Sequence, residues 1–201
     1  HRQVLASSVA AGSGVRSYAV SSVPDNVSSG FTAKIWVCDQ RDITAVQNQS
    51  NTFKVKGNLG VVIPVSGLYR VGQTTTIQWT DNTDSLPNVK LYYLKDGSPN
   101  YITTAASPKG TNSYAWVIPD GALDAIANNI QVRVEDANDS AVQADGGSFD
   151  VKAEIKVTNP GGASGQVYTV GSGLTVYWAC TGTQPATVNI EYDKSDNNWV
   201  S

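Results

Sequence analysis

Apolar and polar residues alternate along this chain in short runs with a period of two. Thr74 to Thr80 sets Ile77 and Trp79 on one face, and Val89 to Leu94 sets Val89, Leu91 and Tyr93 on one face. Asn129 to Glu135 alternates Ile130, Val132 and Val134 against Gln131, Arg133 and Glu135. Successive strand side chains point to opposite sides, so each run predicts a strand with one buried face. Gly60 to Val65, whose Pro64 suits an edge, Tyr101 to Ala106, Ser113 to Ile118 and Ser148 to Val151 complete a set of seven strands over 57–151. Turn signals separate them, among them Lys95-Asp96-Gly97 and Pro119. The stretch 120–128 reads equally well as one helical turn or as a crossover loop.

The same pattern recurs about a hundred residues away, a period suited to a sandwich domain. Ser17-Tyr18-Ala19-Val20 returns as Ser113-Tyr114-Ala115-Trp116, and Tyr69-Arg70-Val71-Gly72 returns as Tyr168-Thr169-Val170-Gly171. Ile77-Gln78-Trp79 is matched by Val176-Tyr177-Trp178. Asp39, Asp42, Val46 and Phe53 are matched by Asp136, Asp139, Val142 and Phe149. The expected fold is therefore all-β: tandem immunoglobulin-like seven-stranded sandwiches, with one domain split between the chain ends. Residues 57–151 are expected to be a complete copy, 1–56 the back half of another, and 152–201 a front half. The inward residues of these sandwiches should be Trp79, Trp116, Phe149, Val132 and Val134 in the complete copy, with Trp178 and Phe53 in the halves.

Each half alone would expose half a core and unpaired strand edges. The front half is expected to hold strands at Glu154 to Val157, Leu174 to Ala179 and Thr187 to Tyr192. The back half is expected to hold strands around Val4 to Ser8, Ser17 to Val23, Phe31 to Cys38 and Thr52 to Val55. An odd strand count sends the chain in and out at opposite poles, which disfavours closure of the two halves within one chain. Completion is expected from a neighbour instead, either through a peptide bond in a long array or by strand complementation between subunits. The only two cysteines, Cys38 and Cys180, belong to opposite halves of that split copy, where their counterparts are Glu135 and Asp81. A disulfide between strands two and six is one expectation and would imply an oxidising setting. Two free thiols are the other, because pleat parity turns Cys38 outward with Trp36 while Cys180 shares the face of Trp178.

The net charge of −3 is spread along the chain without a Lys/Arg cluster, so the footprint of nucleic-acid binding is missing. No apolar stretch reaches the roughly 18 residues needed to span a bilayer. The chain lacks Met and begins with His1, as expected of a processed product or a segment of a larger chain. His1 is the only histidine, which leaves Ser-His, Cys-His and His-metal arrangements without supply. Asp136, Asp139 and Asp145, with Asp39 and Asp42, could bind Ca²⁺ through oxygens, but Asp-rich turns more often satisfy their own backbone N–H groups. No catalytic residue, metal ligand or cofactor is expected. Sequons at Asn26, Asn48 and Asn138 would matter only in a secreted chain of a glycosylating organism.

A strand followed by Tyr-x-Val-Gly, a strand ending in Trp79, Ser113-Tyr114 with a later Pro119, Arg133-Val134 before Asp136, and the closing Phe149-Asp150-Val151 together resemble the Ig-like repeat of Ser/Thr-rich wall-anchored fungal proteins. Similar repeats are arrayed in large bacterial and archaeal surface proteins. The resemblance covers 57–151 and, in two pieces, both flanks. It implies spacers, adhesive stalks or surface fibres without catalytic residues, and no functional residue carries over. The expected function is a structural unit of a secreted or cell-surface filament whose partner is itself, head to tail. The alternative is an adhesin or carbohydrate-binding module with Tyr92, Tyr101, Trp199 and Trp36 stacking on a glycan, although Tyr92 and Tyr101 read more simply as a cross-strand pair.

Overall fold

A computed structural model describes residues 3–24, 32–83, 86–121, 125–161, 167–183, 187–193 and 199–200, the last two and Asp193 in their backbone only. The strands before the centre are β1 (Thr32–Ala33), β2 (Trp36–Cys38), β3 (Gln47–Gln49) and β4 (Phe53–Lys54). The centre holds β5 (Leu59–Ile63), β6 (Leu68–Arg70), β7 (Thr74–Asp81), β8 (Asn88–Lys95), β9 (Ser98–Ala106), β10 (Gly110–Val117), β11 (Ala127–Asp136), β12 (Gln143–Asp145) and β13 (Phe149–Lys152). After it come β14 (Glu154–Asn159), β15 (Tyr177–Thr181), β16 (Tyr192–Asp193) and β17 (Trp199–Val200). The chain is all-β, with no helix among the described residues.

The centre is two facing open sheets, the arrangement of a β-sandwich. One has the order β10-β7-β5; the other runs β6-β13-β11-β8-β9, with β12 also on β11. Every pairing is antiparallel except β6 with β13. Period-two alternation explains the core between them: Ile77 and Trp79 from one sheet meet Val89, Leu91, Ile130, Val132 and Val134 from the other in a single apolar cluster. Trp116 stacks on Tyr93 across the gap, ring centroids 5.7 Å apart. Asp96 and Gly97 take φ of 52° and 76° between paired Lys95 and Ser98, the two-residue hairpin turn that demands positive φ at both positions.

The seven expected strands of this body become nine. Its first strand ends before Pro64, which has no N–H to give a ladder, and an unexpected strand, β6, follows on the other sheet. Its last, expected over Ser148 to Val151, is β13, and an unexpected strand, β12, precedes it across Gly146-Gly147, where a Cβ on Gly147 would collide with the Val65 carbonyl oxygen. Leu59, Asp81, Asn88, Ala106, Gly110 and Asp136 mark one pole, and Thr74, Lys95, Val117 and Lys152 mark the other. The chain enters at the first and leaves at the second.

The flanks are thinner than the sequence suggests. No strand forms within 3–24, although Val4 to Ser8 and Ser17 to Val23 were expected to be strands. Their counterparts β9 and β10 pair with β8 and β7, whereas among the described residues no strand pairs with 3–24. Phe31, the start of another expected strand, lies outside the described residues. Of Leu174 to Ala179 only the end is a strand, and of Thr187 to Tyr192 only Tyr192. The helical turn weighed for 120–128 falls partly outside the described residues, and 125–126 are not helical.

Candidate functional site

The flanks pair in the registers of the centre. β2 and β3 match Trp36 with Gln49, Val37 with Asn48 and Cys38 with Gln47; β11 and β12 match Arg133 with Asp145, Val134 with Ala144 and Glu135 with Gln143. Ala33 faces Phe53 as Ile130 faces Phe149. β14 and β15 pair Ile155 with Cys180, Lys156 with Ala179 and Val157 with Trp178, then shift before Asn159 and Tyr177. β5 and β7 pair Leu59 with Asp81, Gly60 with Thr80 and Val61 with Trp79, then shift before Ile63 and Gln78. Gly72 and Gly171 both take positive φ, as do Gly110 and Gly14.

Burial separates the two settings. Trp79 is 1% exposed and its counterpart Trp178 41%; Phe149 is 2% exposed and Phe53 39%. Trp116, Val132 and Val134 are buried as expected of core residues, whereas Ile35, Val37 and Val46, which stand where Val132, Val134 and Val142 do, are exposed. Val71, Leu91 and Tyr93 are buried, whereas Val170, Ile190 and Tyr192 are exposed. Trp178 and Phe53, expected in the core of a completed copy, are thus half-exposed within the single chain. Among the described residues no strand of 32–54 pairs with a strand of 154–200.

The Asp-rich turns are built alike. Asp136 Oδ1 accepts from the Asn138 N–H at 2.9 Å and Asp139 Oδ1 from the Ala141 N–H at 3.0 Å. Asp39 and Asp42 do the same for Arg41 and Ala45 at 2.8 and 3.0 Å. The Ala141 N–H, then Lys56 Nζ at 3.3 Å, hold the Asp139 carboxyl below the usual carboxylate range; the Ala45 N–H, then the Thr44 hydroxyl, do so for Asp42. Asp145 takes a bidentate grip from Arg133 at 2.6 and 2.8 Å, which raises the guanidinium pKa further. Each carboxylate is thus turned to its own partner, and Asp136 Oδ2 is buried without a hydrogen bond.

A buried polar quartet at the first pole escaped the sequence reading. Thr83 donates its N–H and hydroxyl to Asp81 Oδ1 at 2.9 and 2.7 Å, Ser107 Oγ donates to Asp81 Oδ2 at 2.9 Å, and Trp79 Nε1 donates to Ser107 Oγ at 3.0 Å. The Asp-x-Thr spacing after Trp79 is an Asx-turn signal that could have revealed half of it. Also missed was a joint at the second pole. Gly182 N–H bonds Asp120 Oδ1 at 2.6 Å and Arg70 Nη1 bonds the Ala153 carbonyl at 3.3 Å, beside a shallow cleft lined by Val71, Gln73, Glu154 and Thr181.

Cys38 and Cys180 are free thiols, so the disulfide expected from the sequence is not formed within this chain. The complete body argues against it in a joined copy too. Asp81, the counterpart of Cys180, is fully buried and inward, whereas Glu135, the counterpart of Cys38, sits on the outward face between inward Val134 and Asp136. Tyr92 and Tyr101 are direct cross-strand partners in an edge-to-face pair at 5.8 Å, and the Tyr101 hydroxyl is bonded to Thr104. Of the other aromatics weighed for a glycan, Trp36 lies half-buried on β2 and the Trp199 side chain is outside the described residues, as is the sequon at Asn26. Neither protein-family models nor curated proteins give a match to this chain.

Proposed function

We propose that this chain is a structural repeat of an extracellular or cell-surface filament, with 57–151 a complete immunoglobulin-like sandwich and the two flanks complementary halves of a second one. The halves are completed head to tail, 152–201 of one copy receiving 1–56 of the next. The reading is carried by the contrast in burial: core positions of 57–151 recur in the flanks as apolar residues in the same ladder register, and there they are bare. Large apolar faces rimmed by polar residues are uncommon on soluble monomers and mark contact surfaces. Exit from the body at the pole opposite to the point of arrival turns one repeated contact into an open line rather than a closed ring.

Magnitudes set the strength of such a contact. Burying Trp178, Ile190, Ile35, Val37, Val46 and Phe53 contributes about 1.5–3 kcal/mol each, on the order of 10 kcal/mol together. Association costs about 4–15 kcal/mol before any ordering of strands. Apolar burial alone therefore roughly breaks even, and the surplus has to come from ladder hydrogen bonds made by 3–24 once it finds the partners it lacks here. Sedimentation and electron microscopy of the purified chain over a range of concentrations test this. The expected outcome is unbranched end-to-end polymers with a two-domain repeat; a compact monomer at high concentration, its two ends packed on each other, would overturn it.

A further inference from the structure

The polar quartet of the complete body is rewritten as a set in the flanks. Asp81 becomes Cys180 and Thr83 becomes Gly182, on the strand pair whose register with β14 repeats that of β7 with β5. Ser107 becomes Ala11, a correspondence fixed by Gly14 and Gly110, both at positive φ, and by Ser17-Tyr18-Ala19 against Ser113-Tyr114-Ala115. Three hydrogen-bonding side chains, two of them close in sequence and the third 26 residues from Asp81, are thus exchanged for three that donate weakly or not at all. Two of the exchanges fall in one flank and the third in the other.

Resting on the head-to-tail reading above, we propose that Ala11 of one copy and Cys180 of a second copy of this chain meet at the first pole of the completed sandwich, and that this apolar match makes the flanks selective for each other. In the complete body the Ser107 hydroxyl is the donor to Asp81 Oδ2. A flank carrying Ala11 offers no hydroxyl there, so if it swapped onto 57–95 of a neighbouring body it would bury that carboxylate oxygen without a donor, a costly arrangement. Against Cys180 the same alanine strands no carboxylate, because a thiol packs as a small apolar group, and the only group that loses its hydroxyl partner is the Trp178 indole N–H, whose counterpart Trp79 donates to Ser107. The substitution set therefore favours flank-to-flank completion over exchange with the complete body, a device of exclusion as well as attraction.

The test measures self-association of the 201-residue chain by sedimentation under reducing conditions, so that no disulfide enters. Cys180→Asp is expected to weaken association on the order of 10- to 100-fold by burying an unpaired carboxylate. Ala11→Ser added to Cys180→Asp is expected to recover most of that loss, and Cys180→Ala to behave as the unaltered chain. The thermal transition of the body, monitored by near-ultraviolet circular dichroism of its buried Trp79 and Trp116, should not move in any variant. If the unaltered chain fails to associate, the head-to-tail reading itself falls and this inference with it. If it associates but Cys180→Asp binds equally well, or Ala11→Ser does not rescue it, the pairing of Ala11 with Cys180 is wrong while head-to-tail completion stands.

Discussion

The Ser107 hydroxyl ties two buried groups together, donating to Asp81 Oδ2 and accepting from the Trp79 indole N–H. Ser107→Ala should therefore cost about 1–3 kcal/mol through two stranded buried groups, more than the loss of an exposed hydroxyl. Trp79→Ala should cost about 3–5 kcal/mol, whereas Trp178→Ala, at a half-exposed position, should barely change the unfolding of the separate chain and appear only in association. Chemical denaturation of the three variants checks this order. Asp139 gives a pH test: its pKa is held low in the folded state, so its contribution is present above the unfolded value of about 3.9 and is lost as pH falls through the lower folded value. Asp139→Asn should flatten the acid limb of the stability profile, read from thermal melts at successive pH. Residues such as Val132 and Val134 were legible because alternation alone fixes their face. The quartet was not, since Ser107 reaches Asp81 only after two sheets are stacked. Parity sets Cys38 and Cys180 on different sides, and their counterparts in the complete body, outward Glu135 and inward Asp81, show the same division.

At the level of elements, what could be read depended on whether a strand carries its partner in the same stretch of chain. The β8–β9 hairpin was plain from Asp96-Gly97 between alternating runs, and its turn conformation follows from those two residues. Residues 3–24 carry the same kind of alternation as β9 and β10 yet form no strand, because a ladder needs a paired neighbour and among the described residues none pairs with them. The extra strands β6 and β12 were hidden for another reason: the path between them depends on how closely two backbones pass. Gly146 and Gly147 let the β12–β13 segment cross the Val61 to Val65 backbone at a distance that admits no side chain. Gly147→Ala should force the crossing apart and cost about 1–3 kcal/mol or more, with amide exchange accelerated in β12 and β13 ahead of β8 and β11. Uniform acceleration across all four strands would mean that the crossing is not a local feature.

For the molecule as a whole, the proposed filament turns on how stiffly one body is joined to the next, because a filament transmits direction only if its joints resist bending. Only Ala153 separates β13 from β14, so the covalent link is already short. Two hydrogen bonds then clamp it from different sides, Arg70 on the Ala153 carbonyl and Asp120 on the Gly182 N–H. Gly182 itself sits at φ +82° with Val71 and Ile126 so close that a Cβ would lie within 2.7 Å of both. A hydrogen bond to a charged acceptor is worth about 1.5–3 kcal/mol, so Asp120→Ala should loosen the docked β14–β15 pair without unfolding the body. Gly182→Ala should do more, adding strain of about 1 kcal/mol or above at a positive φ to the lost fit. Nitrogen-15 relaxation of the separate chain would register this as faster internal motion of β14 and β15 with β7, β8 and β11 unchanged. If both variants tumble as the parent does, the clamp lies elsewhere and the straightness of any filament must come from the completed sandwich instead of from the joint.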